Sequence, residues 1–136
     1  MEPYEQTGLV AAKAAMQRAH APYSGFHVGA AIVMADGEVF GGCNVESASY
    51  GLTLCAERSG LSAAIAARGS LGPSSVAFVV IATEADTPTP PCGACRQWLA
   101  EFAPKATVLS VARDGKERRW PVKELLPDAF TGEQLD

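Results

Sequence analysis

Four residues in this chain have the types and spacing to do chemistry: Cys55, Cys92, Cys95, and Glu57, which follows the first cysteine by two positions. Three thiolates can hold zinc tetrahedrally and leave a fourth position open for water, as catalytic rather than structural sites do. Such a water still needs a proton carrier, and Glu57 is placed to be one. Cys92 and Cys95 stand at i and i+3, on one face of a helix first turn. Cys55 and Glu57 are two apart and share no face of a regular helix. Both reach one site only if Cys55 sits at the very end of a helix with Glu57 in its first turn. A helix N-terminus at Cys55 would also favour the thiolate.

The same residues admit duller readings. Cys92-Gly93-Ala94-Cys95 has the spacing of a redox-active dithiol, and Cys43 is available as the fourth ligand of a structural zinc site. A redox dithiol is expected after an early strand, whereas this one sits late in the chain. Neither alternative has a use for Glu57. Upstream, Asn44 and Glu46 point the same way if their segment is extended, which suits the vicinal hydroxyls of a sugar. An Asx-turn beside a solvated carboxylate accounts for the pair as simply. Phe26 stands where an aromatic could stack on a flat ligand, or it is a core residue. His27 reads as a lone exposed or satisfied histidine.

These residues need elements to position them. Apolar residues at helical spacing (Leu9, Ala12, Met16, Ala19) predict a helix over 7–21, ended by Pro22. Two apolar runs, 28–34 and 38–43, flank Asp36-Gly37 and predict a β-hairpin. The stretch 43–50 reads as a loop, and 55–68 as a second helix capped by Gly69. A continuous apolar run over 75–83 predicts a central strand buried on both faces. A proline-rich loop leads to a helix from Cys92 to about Phe102, followed by strands at 107–112 and 117–121. A helical turn over 123–126 and a tail over 127–136 complete the chain.

Length and composition bound the rest. At 136 residues the chain is most economically one domain, 1–136. A net charge of −4 argues against a nucleic-acid binder, and no apolar run approaches a membrane span. The acidic start MEPYEQ lacks the features of a signal peptide, and four cysteines in such a chain suggest metal chemistry before disulfides. A cytoplasmic location is expected.

Taken together, APYSGFHVGAA, Asn44-Val45-Glu46, Cys55-Ala56-Glu57-Arg58, Pro91-Cys92-Gly93-Ala94-Cys95-Arg96-Gln97 and ELLPDAF resemble the small cytidine deaminases of nucleoside salvage. The motifs run in the family's order over nearly the whole chain. One departure is Ser47, where the family reads Asn. The resemblance implies an α/β fold of three αβα layers around a mixed five-stranded sheet. It implies one zinc per chain on Cys55, Cys92 and Cys95, with Glu57 shuttling protons in the hydrolysis of cytidine and deoxycytidine to uridine and deoxyuridine plus ammonia. Asn44 and Glu46 would hold the ribose and Phe26 would stack on the base. Zinc on three thiolates leaves one net negative charge, which the helix N-termini and Arg58 would offset; a surface arginine is the plainer account of Arg58. The resemblance further implies a homotetramer in which Phe130 closes a neighbour's pocket.

Overall fold

The first helix starts earlier than its apolar periodicity predicts. In a computed structural model that describes residues 1–135, α1 spans Pro3–Met16. Pro3 suits a first turn because its fixed φ is helical and its missing N–H would have had no helical partner. Glu5 reaches back to accept the Glu2 N–H at 3.1 Å. The helix also ends short of residue 21. The Arg18 and Ala19 N–H groups close tight turns onto Ala15 and Met16, and His20 exchanges backbone bonds with residues 44 and 46. Strand-like pairing thus overrides helical periodicity over the last residues of the predicted span.

The Asp36-Gly37 turn joins β1 (Val28–Met34) to β2 (Val39–Cys43) as an antiparallel hairpin. Gly37 takes φ of 94°, a left-handed conformation glycine adopts without cost. β3 (Val76–Thr83) lies antiparallel on the other side of β1, pairing Val28 with Thr83. β4 (Thr107–Val111) runs parallel to β3, and β5 (Glu117–Pro121) antiparallel to β4. The order β2-β1-β3-β4-β5 makes a mixed five-stranded sheet. Its single parallel pair needs a crossover, which α3 (Gly93–Phe102) supplies.

Side-chain alternation sorts the core into two layers. Ala31, Val33, Val80, Ala82 and Leu109 meet Ala12 of α1 on one face. Ile32, Met34, Val79, Ile81 and Val108 meet Leu61 of α2 (Ala56–Arg68), Leu99 of α3 and Val122 of α4 (Val122–Leu125) on the other. The expected three-layer αβα arrangement is therefore observed, with β3 buried on both faces. The expected tail folds as a short 3₁₀ turn at Gly132–Leu135; Asp136, its last residue, lies outside the described residues.

The layer that carries the chemistry is held at unusually close range. A Cβ on Gly42 of β2 would stand 2.3 Å from the Gly60 N and 2.5 Å from the Ala56 O of α2. Both are backbone atoms, so the helix itself would have to move. Gly42→Ala should destabilise the protein by about 1–3 kcal/mol, as overpacking does, read as a lower denaturant midpoint. Zinc affinity should fall with it, because the start of α2 carries Cys55 and Glu57. An unchanged midpoint would refute this packing account.

The two ends of the chain are tied by charge. Arg119 of β5 donates to both carboxylate oxygens of Glu5, at 2.8 and 3.2 Å, and Glu5 is almost fully buried. These hydrogen bonds hold the Glu5 carboxyl below its ordinary value of 4.5, with burial opposing them. A depressed carboxyl adds stability above its unfolded-state pKa and loses it as pH falls through the folded-state value. Urea unfolding from pH 7 to pH 3 should therefore show Glu5→Gln costing about 1–2 kcal/mol near neutrality. The difference from wild type should shrink steadily below about pH 4.5.

Candidate active site

Two helix N-termini converge on the cysteines. Cys55 is the N-cap of α2, with φ −75° and ψ 157°, and Cys92 is the N-cap of α3, with φ −69° and ψ 169°. Both are extended, so each side chain leaves its helix end rather than its side. Cys95 follows in the first turn of α3 and is fully buried. The Cys55 and Cys92 sulfurs are 3.5 Å apart, and all three sulfurs lie within 4.8 Å of one another. Zinc–sulfur bonds of about 2.3 Å in a tetrahedron place sulfurs about 3.7 Å apart, so this donor set fits one zinc. Among the described residues it is the only group of three or more candidate ligands that could hold a metal ion.

The cap position of Cys55 resolves the spacing problem. Because Cys55 is not helical, Glu57 in the first turn of α2 turns into the same site. Its carboxyl is buried, with the residue 5% exposed. Burial pushes its pKa up to about 7, reinforced by the negative charge of Cys55 and opposed by its own backbone N–H, Cys95 and Arg58. The Cys55 thiol is drawn down to about 5, first by a hydrogen bond from Cys95 and then by Arg58 and Cys92. Cys95, donating that bond from a buried position, is pushed up. Arg58 Nη2 donates to Cys55 Sγ and to the Thr53 carbonyl, each at 3.4 Å, while its Nε is buried without a partner. It is not a free surface arginine.

Above this floor is a cavity of about 210 Å³. Cys55, Glu57 and Cys92 form its base, and Phe26, Val28 and Asn44 form one wall. Thr53, Ala56, Ile81, Thr89 and Pro90 complete the lining. Asn44 braces its own wall: Oδ1 accepts the Val28 N–H at 2.8 Å and Nδ2 donates to the Phe26 carbonyl at 2.7 Å. An amide can accept two bonds and donate two, so one of each remains.

Glu46 is not on that wall. It lines an adjoining recess of about 390 Å³ with Tyr23, Ser24 and Tyr50, and Thr53 borders both spaces. Its carboxylate accepts the Tyr23 and Ser24 N–H groups at 2.9 and 3.0 Å and the Ser24 hydroxyl. Those bonds, the hydroxyl's first, hold its pKa low. Phe130 stands apart from the cavity and is 56% exposed, its carbonyl accepting from Gln97 Nε2 at 2.7 Å. Cys43 lies beside Ala15, Arg18 and Ser59, outside the sulfur cluster.

Sequence reasoning missed Val28, Thr53, Ala56, Ile81, Thr89 and Pro90 as cavity residues. Val28 was within reach, since side chains two apart on a strand share a face and Phe26 had been singled out. Thr89 and Pro90 are brought in by the crossover and Ile81 by the pairing of β3 with β1, which no local pattern reveals, while Thr53 lies two residues before Cys55.

The chain matches the family model described as "Cytidine and deoxycytidylate deaminase zinc-binding region" over residues 3–111. It is 45% identical over 123 residues to a cytidine deaminase of Halalkalibacterium halodurans, covering 90% of each chain. It is 37% identical over 128 residues to one of Sporosarcina psychrophila, covering 93% of this chain and 91% of that one. The crystal structure of cytidine deaminase from Burkholderia pseudomallei superimposes with a TM-score of 0.88 at 46% identity, covering 96% of this chain and all of that one.

Proposed function

Since the chain belongs to the cytidine and deoxycytidylate deaminase family, a family of zinc-dependent hydrolases, we propose that it deaminates cytidine and deoxycytidine in pyrimidine salvage. The observation that carries this reading is the buried carboxyl of Glu57 set among three cysteines at the base of an open cavity. Cys55, Cys92 and Cys95 would hold the zinc, which would supply the Lewis acidity that makes a water a competent nucleophile at neutral pH.

The protein's own groups do the rest. Glu57 takes a proton from the attacking water and passes it to the ring nitrogen beside the amino-bearing carbon. As the water oxygen bonds to that carbon, its second proton moves through Glu57 to the amino group; the carbon–nitrogen bond breaks, the carbonyl forms and ammonia leaves. One carboxyl thus serves as base and then as acid, and a pKa near neutrality suits both tasks. Arg58, with the two helix N-termini, offsets the excess negative charge of the thiolates. Phe26 stacks on the pyrimidine. Asn44 offers its remaining donor and acceptor to the ribose, and Glu46 approaches the sugar from the adjoining recess.

No helix among the described residues is long and apolar enough to cross a membrane. The exposed Phe130 is offered to a neighbouring subunit's pocket in a homotetramer. Ultraviolet-monitored turnover tests the substrate assignment: cytidine and deoxycytidine should both be converted, with ammonia released one for one. Zinc-loaded protein inert toward both would refute it.

A further inference from the structure

One hydrogen-bonded pair, His27 with Glu84, joins two segments that line the cavity. His27 sits between two cavity residues, Phe26 and Val28. The register that pairs Val28 with Thr83 places the next residues outward, His27 and Glu84, side by side. Glu84 Oε1 accepts both the His27 backbone N–H, at 3.1 Å, and the ring Nδ1–H, at 2.6 Å. Glu84 is also the first residue of the segment that carries the cavity residues Thr89 and Pro90 and then Cys92.

The other bonds on these segments make the pair mechanically useful. Residues 26–28 are held by Ser24 Oγ on the Phe26 N–H and by the Asn44 amide. The 84–91 segment is held by the Arg113 N–H on the Ala85 carbonyl and by the Arg113–Asp86 ion pair. Within it, Thr83 Oγ1 accepts the Ala85 N–H at 3.2 Å and stands 3.4 Å from Thr89 Oγ1. Only Glu84 reaches from this segment to the Phe26 wall among these bonds. We propose that the His27–Glu84 pair is a positioning element that sets the spacing between Phe26 and the Thr89–Pro90 wall, and so tunes nucleoside affinity without touching the nucleoside. The proposal rests on reading the cavity as a nucleoside site.

Both side chains are about half exposed, at 40% and 49%. Water screens such a pair, so its effect is modest and falls on binding rather than on folding. Glu84→Ala should raise KM for cytidine and Kd for uridine, read by calorimetry, about two- to fivefold. kcat and zinc content should stay at wild-type levels. Glu84→Gln should recover part of the loss, because an amide oxygen still accepts the backbone N–H. His27→Ala in the Glu84→Ala background should add nothing further, since the two act as a unit. A merely structural role would lower the unfolding midpoint and leave KM and Kd alone. Unchanged KM and Kd in Glu84→Ala, or a fall in kcat at constant KM, would overturn the proposal. Should Glu84→Ala not fold, Glu84→Gln and His27→Ala carry the same comparison singly. Wild-type protein that neither turned over cytidine nor bound uridine would instead overturn the nucleoside reading of the cavity, and the pair's role with it.

Discussion

Glu57→Gln will fold, hold zinc and bind nucleoside, and will turn over cytidine about 10³-fold more slowly or worse. The amide matches the carboxyl in size, so the buried position in α2 is filled without a void. What it loses is the capacity to accept a proton and give it back. The size of the effect follows from the double role proposed for Glu57, since proton transfer by a positioned group contributes roughly 10²–10⁴-fold at a step. kcat, zinc content and uridine affinity should be measured on one preparation, so that a lost metal or a lost pocket is not mistaken for lost chemistry. Near-normal turnover at full zinc would remove Glu57 from the mechanism.

The second large effect separates a three-thiolate site from its alternatives. Cys95→Ala removes the buried sulfur that completes the set. Zinc affinity should fall by well over the roughly 100-fold that loss of an outer hydrogen-bonding partner costs. Activity should disappear in proportion to the metal, and the unfolding midpoint should drop to that of chelator-treated wild type, because metal binding adds to folding stability. Cys43→Ala, by contrast, should keep its zinc and its turnover, since that thiol lies outside the cluster. Zinc loss in Cys43→Ala would revive the four-cysteine structural site.

Much of the site was legible because its chemistry depends on short spacings. Cys-x-Glu could work only with the cysteine at a helix cap, and the extended backbone of Cys55 meets that condition. Asp36-Gly37 announced the hairpin because only a few residue types accept a left-handed turn. What stayed hidden depended on tertiary register. The end of α1 is decided by a bridge between His20 and Val45, two residues whose types say nothing of each other. Asn44 and Glu46, expected to point the same way from an extended segment, border two different spaces, and the 23–24 loop closes over the second of them. Glu84 meets His27 across 57 positions through the pairing of β1 with β3, and no local pattern marks either residue.

Central to all of this is one catalytic metal on three thiolates. The most direct test is to strip the protein with a chelator and titrate zinc back while following cytidine turnover. Activity should be absent at the start, rise linearly, and level off at about one zinc per chain, as a single three-thiolate site requires. Full turnover in the stripped protein, or one bound zinc per chain with no turnover, would contradict the account.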